Sequence, residues 1–246
     1  MNKGVSVVLT FLLLAAVAAS TVIGQKQSKS WTEWSKSEAE KVLNDSPWAH
    51  FQVDTDTSEM FFQPTTDART SRAPNANSRL EQGATNQATS IKYGIRFFSA
   101  RPVRQAFMRV IQLKEKDLEP DVIGRMNSFA EVPSTDSIII AMTIEGTDKR
   151  SLGKVMQIID SAATGTLKNT TYLERNDGKR VFLEQYVPPG KDGFGARFIF
   201  RRMVDERPFL SKEFSDVRFV SEFGTSIKLN MRFKLADMML NGELEY

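Results

Sequence analysis

The chain of 246 residues has no cysteine, one histidine and three tryptophans. Without cysteine there is no disulfide, no thiolate metal site, no cysteine nucleophile and no acylated lipoprotein anchor. A single histidine, His50, excludes an HExxH zinc site and leaves a Ser-His-Asp triad only that residue to use. No G-x-S-x-G elbow supplies the serine. Neither sign of charge dominates: 33 Lys and Arg against 30 Asp and Glu give +3, too little for a dedicated nucleic-acid binder. Beyond residue 24 no stretch is long and apolar enough to read as a membrane-spanning helix.

What is present begins with Lys3, an apolar run from Val5 to Ala19, and small residues after it. This pattern reads as a secretory signal peptide over residues 1–24, with cleavage expected after Ser20 or Gly24. The membrane is then met only through that segment before cleavage, and the expected location is the periplasm or the cell exterior. An exported chain without disulfides must stand on its hydrophobic core, and the remaining length of about 220 residues is enough for one.

All three tryptophans and the histidine lie in "WTEWSKSEAEKVLNDSPWAHFQ", residues 31–52. Ser35 and Glu38 fit a capping box, Trp34 and Ala39 a hydrophobic staple, and Ala39, Val42 and Leu43 a narrow apolar stripe ended by Ser46-Pro47. A helix of about ten residues is marginal alone, so residues 25–62 are read as a helix and first strand docked on the core. The other reading keeps Trp31, Trp34 and Trp48 exposed beside His50 as a glycan platform.

Residues 63–90 contain no aromatic residue and one large aliphatic, Leu80, and are read as a disordered or flexible loop. Residues 91–246 form the core domain. "IKYGIRFF" alternates as a half-buried strand. Ser99 is expected to cap a helix whose apolar face is Val103, Ala106, Phe107, Val110 and Ile111. A shorter helix follows over Asp121–Phe129, then "SIIIAMTI" as a strand covered on both faces. Thr147 is expected to cap a helix with Leu152, Val155, Met156 and Ile159 facing inward. "TYLERNDGKRVFLEQYV" reads as one hairpin around Asn-Asp-Gly, and "VRFVSEFGTSIKLNMRFKL" as another around Gly224. The fold class is α+β: a largely antiparallel β-sheet with two or more packed amphipathic helices and a short N-terminal helix.

Chemical motifs are weak. "DTDTSE", residues 54–59, fails as a calcium loop because Glu59 stands where glycine is needed, and reads as a solvated strand edge. Ser151 to Lys154 matches S-x-x-K without its S-D-N and K-T-G companions. Gly193 to Gly195 reads as a turn or bulge. No residue is assigned as catalytic or metal-ligating, and no cofactor is expected. The last strand places Lys228, Arg232 and Lys234 on one face, and with Arg197, Arg201 and Arg218 they offer a basic sheet surface. Export points away from nucleic acid and towards an anionic envelope polymer or another envelope protein.

"WTEWSKSEAEKVLNDSPWA" and "FFSARPVRQA" resemble a group of exported bacterial proteins of uncharacterised function that share a WTEWS…NDSPWA opening. The resemblance implies a bacterial origin and an exported location, and brings no activity or catalytic residue with it. The function expected is a non-catalytic envelope or secreted interaction module. Two alternatives stand beside it: an exported hydrolase using dispersed carboxylates or serines, and a glycan-binding protein using the tryptophan cluster.

Overall fold

A computed structural model describes residues 29–56, 88–115 and 117–246. The expected signal segment, residues 25–28 and 57–62 of the docked N-terminal unit and all of the expected loop except residues 88–90 lie outside the described residues.

Helix α1, Lys36–Asn44, starts on the expected capping box: Ser35 Oγ accepts from the Glu38 N–H, and the Glu38 carboxylate accepts from the Ser35 N–H. That amide, with help from Lys29, holds the Glu38 carboxyl at about 2. Strand β1, Ala49–Asp56, pairs antiparallel with β2, Thr89–Phe97. Then come α2 (Arg101–Lys114), α3 (Pro120–Glu131), β3 (Ser137–Gly146), α4 (Lys149–Ser161) and one turn of α5 (Thr164–Leu167). The second half is mostly strand: β4 (Tyr172–Arg175), β5 (Arg180–Phe182), β6 (Gln185–Val187), β7 (Ala196–Arg201), the hairpin β8 (Met203–Val204) and β9 (Arg207–Pro208), β10 (Asp216–Phe223) and β11 (Ile227–Lys234). A small hairpin, β12 (Met239–Leu240) and β13 (Glu243–Leu244), closes the chain.

The fold is α+β with antiparallel pairing throughout, but the strands form two main sheets. The first runs β1-β2-β3-β7-β6 and the second β11-β10-β4-β5. Their inner faces meet through aromatic rings: Phe97 is 4.8 Å edge-on from Phe233, and Phe198 is 5.1 Å from Phe219. Each such buried side chain contributes roughly 1.5–3 kcal/mol. The expected hairpin at 171–187 is divided between the sheets. Val181 and Leu183 are buried on β5's side, and three residues later the buried parity shifts to Tyr186 on β6. The Glu184 N–H bonds to Ile199 O, which moves the chain from one sheet to the other.

Two expected helix caps serve the sheet instead. Ser99 Oγ accepts from the Ile139 N–H, and α2 starts from Ala100 without a side-chain cap. Thr147 Oγ1 accepts from the Ser90 N–H, while Asp148 caps α4 by accepting from the Ser151 N–H. Gly195 is a turn that only glycine fits: its φ is +77°, and a Cβ there would lie 2.1 Å from Met142 O.

Because β2 alternates, Arg96 points away from the second sheet, towards α1. It is 5% exposed and donates to Leu43 O at 2.5 Å, Asn44 Oδ1 at 3.0 Å and Thr143 Oγ1 at 2.6 Å. Burial lowers its pKa to about 10, so it remains charged at neutral pH. This guanidinium ties the end of α1, and therefore the start of β1, to the sheet. Helix α2 packs against α1 on one side and α3 on the other.

Candidate ligand-binding site along the second sheet

The tryptophans form no platform. Trp31 and Trp48 are each 8% exposed; Trp31 Nε1 donates to Glu131 Oε1 at 2.6 Å, and Trp48 Nε1 donates to Glu245 O at 2.8 Å. Trp34 is half-buried against the core, and its carbonyl accepts from Arg109 Nε at 2.6 Å. As candidate binding residues Trp31, Trp34 and Trp48 are therefore corrected: their apolar area is spent on packing, and two of the indole N–H groups are already bonded.

The remaining candidates are scattered. His50 is half-buried with its ring 4.7 Å from Phe233, and burial pushes its pKa down against the opposing pull of Asp45. It lines a cleft of about 310 Å³ with Pro47, Arg232, Lys234 and Asp237, so three of the expected residues do meet there. Arg197 belongs to β7 of the first sheet and pairs with Asp192 at 3.0 Å, a bond internal to the Gly195 turn. On the outer face of the second sheet the basic charge is largely answered. Glu174 sits between Arg180 and Arg218 and bonds both, and Arg232 lies 3.5 Å from Asp216. Arg218, then Arg180, hold the Glu174 carboxyl below the usual carboxylate range. Lys228 is opposite Glu222 in register.

A larger basic site lies at the other end of the same sheet. The β4–β5 turn, the β8–β9 hairpin and residues 209–214 enclose a cleft of about 730 Å³. Its cations are Arg175, Lys179, Arg180 and Arg207; Asp205 and Glu213 oppose them. Both hairpins turn on left-handed residues: Gly178 at φ +82°, and Asp205 and Glu206 at +51° and +60°. Arg175 is a fixed floor. It pairs with Asp177, donates to Phe209 O at 2.9 Å and stacks 3.7 Å above the Phe214 ring. Lys179 and Arg207 are exposed and make no salt bridge among the described residues. Ser211 Oγ, also lining the cleft, is shielded from solvent and has no hydrogen-bond partner among the described residues.

Beside this cleft is a groove of about 510 Å³ whose charged lining is Lys168, Arg180, Arg201 and Glu184. Arg180 and Val204 line both, so cleft and groove follow one another along β5. Arg201 is the one expected site residue here, and it pairs with Glu184 at 3.2 Å while remaining largely exposed. Lys168, Arg175, Lys179, Arg180 and Arg207 are not among the sequence-based candidates. A local signal exists for all but Lys168, in the cations in and beside the turns of "NDGKR" and "DER", but their convergence depends on long-range pairing. Among the described residues no group of His, Asp and Glu suits a metal ion, and Thr57 to Glu59 of the "DTDTSE" run lie outside them.

Comparison with protein-family models, with curated proteins and with solved structures gives no match for this chain.

Proposed function

We propose that the protein is an exported, non-catalytic interaction module that holds an anionic partner of the cell envelope in the cleft beside β5. The observation that carries this reading is the pair Lys179 and Arg207, both cationic and without salt-bridge partners, at a cleft whose floor Arg175 is already locked in place. Unpaired cations on a concave wall attract an anionic chain without first having to abandon a partner. Export is supported by the signal-like first residues and by the resemblance of the WTEWS opening. The partner is then an anionic envelope polymer or an acidic stretch of another envelope protein.

The test is a titration of the purified protein with polygalacturonate, with neutral dextran as control, at rising salt. Lys179→Glu with Arg207→Glu is expected to weaken binding by tenfold or more, about 1.4 kcal/mol. Lys228→Glu with Lys234→Glu, on the outer face, is expected to change it by less than about twofold. Equal losses from the two pairs would move the site off the cleft, and no binding to polygalacturonate would remove an anionic polysaccharide as the partner.

A further inference from the structure

The cleft and groove follow a sheet edge, and the backbone there is directed into them. In the β4–β5 ladder the Arg175 N–H bonds to Lys179 O, and the Leu183 N–H bonds to Thr171 O. With Leu173 opposite Val181, alternation makes Lys179, Val181 and Leu183 the residues whose N–H and C=O face β4. The N–H and C=O groups of Arg180 and Phe182 therefore face the other way, and β5 is the last strand of its sheet. No backbone hydrogen bond engages them among the described residues. Phe182 is 46% exposed, and both residues line the 510 Å³ groove.

We infer that β5 is a strand-addition edge: it takes an extended acidic segment of another envelope protein as a fifth strand of the second sheet. This rests on the reading above that the cleft holds an anionic partner. A strand laid about 4.8 Å from β5 would meet the outward groups of Arg180 and Phe182 with its own backbone. Its side chains would alternate between the two walls, apolar ones beside Val204 and acidic ones towards Arg180, Lys168 and Arg201, with Lys179 and Arg207 ahead of it in the cleft. The same cations disfavour a second copy of this chain, because pairing β5 with another β5 would bring like charges together. A carbohydrate or other flexible polyanion would satisfy the charges and leave the outward amides unused.

The experiment uses the purified protein and an acetylated, amidated heptapeptide of sequence EVEVEVE. Binding is expected to slow hydrogen exchange of the Arg180 and Phe182 amides by about tenfold. Two further peptides carry N-methyl groups, one on its valines and the other on its central glutamates. A strand exposes only alternate N–H groups to its neighbour, so methylation of one set is expected to weaken binding at least tenfold and of the other set by under about threefold. Equal binding of both methylated peptides, with no protection at Arg180 and Phe182, would overturn strand addition while leaving the anionic reading standing. Binding of polygalacturonate without binding of the peptide has the same meaning. Failure of both ligands overturns both readings.

Discussion

The second sheet has two edges, and they are finished in different ways. On β11 the outward groups at Lys228 and Asn230 are taken by one side chain: Gln52 Nε2 donates to Lys228 O at 2.7 Å, and Gln52 Oε1 accepts from the Asn230 N–H at 3.1 Å. The carboxamide thus imitates one rung of a missing strand. On β5 the equivalent groups of Arg180 and Phe182 meet no backbone partner among the described residues. Strand sequence does not explain the contrast, since both edges alternate apolar inward and polar or exposed outward. What differs is the neighbour. β1, the edge of the first sheet, lies along β11 and points His50 and Gln52 at it, whereas β7 approaches β5 where the chain crosses between the sheets and, among the described residues, brings no side-chain hydrogen bond to the outward groups of Arg180 and Phe182. An edge is closed or open according to what the other layer brings to it.

The strongest way to break this contrast is to release β1. Arg96→Ala leaves Leu43 O, Asn44 and Thr143 without their buried donor and opens a cavity behind α1. A loss of about 3 kcal/mol in urea denaturation is expected, with faster exchange at the Asn230 amide. A loss below about 1 kcal/mol would mean that α1 and its arginine do not hold β1 in place. Gln52→Ala is the milder test of the same edge. It should cost about 1 kcal/mol and bring exchange at Asn230 up to that of Arg180, leaving Arg180 itself unchanged. If Asn230 stays protected, something other than the carboxamide closes β11.

Much of this architecture is legible from local pattern. The capping box at Ser35 and Glu38, the alternation of β11 and the apolar stripe of α2 all follow from spacing, because each depends on residues within one element. Ser99 and Thr147 mislead for the opposite reason: their hydroxyls are claimed by backbone amides 40 and 57 residues away in sequence. The division of 171–187 between two sheets is visible only in the parity shift from Leu183 to Tyr186. The site fares similarly. Lys228, Arg232 and Lys234 are correctly placed on one outer face, but Glu222, Asp216 and Glu174 come from strands β10 and β4, and the density of positive charge there is lowered by pairing that no single strand displays. The cleft draws Arg175 and Lys179 from one turn and Arg207 from another hairpin, and its basic character appears only once the two are folded beside one another.

Glu174 offers the smallest and most discriminating test, because it borders the open edge and bonds Arg180 across the ladder. Its carboxyl is held below the ordinary 4.5 by Arg218 and Arg180, so the unfolded chain takes up the proton first as pH falls. The stability it contributes is present above pH 4.5 and is lost as pH drops through the lower folded value. Glu174→Gln is therefore expected to cost about 1 kcal/mol at neutral pH and to converge with the wild type in acid. The same substitution frees Arg180 from its counter-charge without touching Gln52 or Asn230. Affinity for polygalacturonate should then rise about two- to threefold while Asn230 exchange stays as it was. A fall in affinity would mean that Glu174 serves the open edge by aiming Arg180, and that the position of this guanidinium outweighs its free charge.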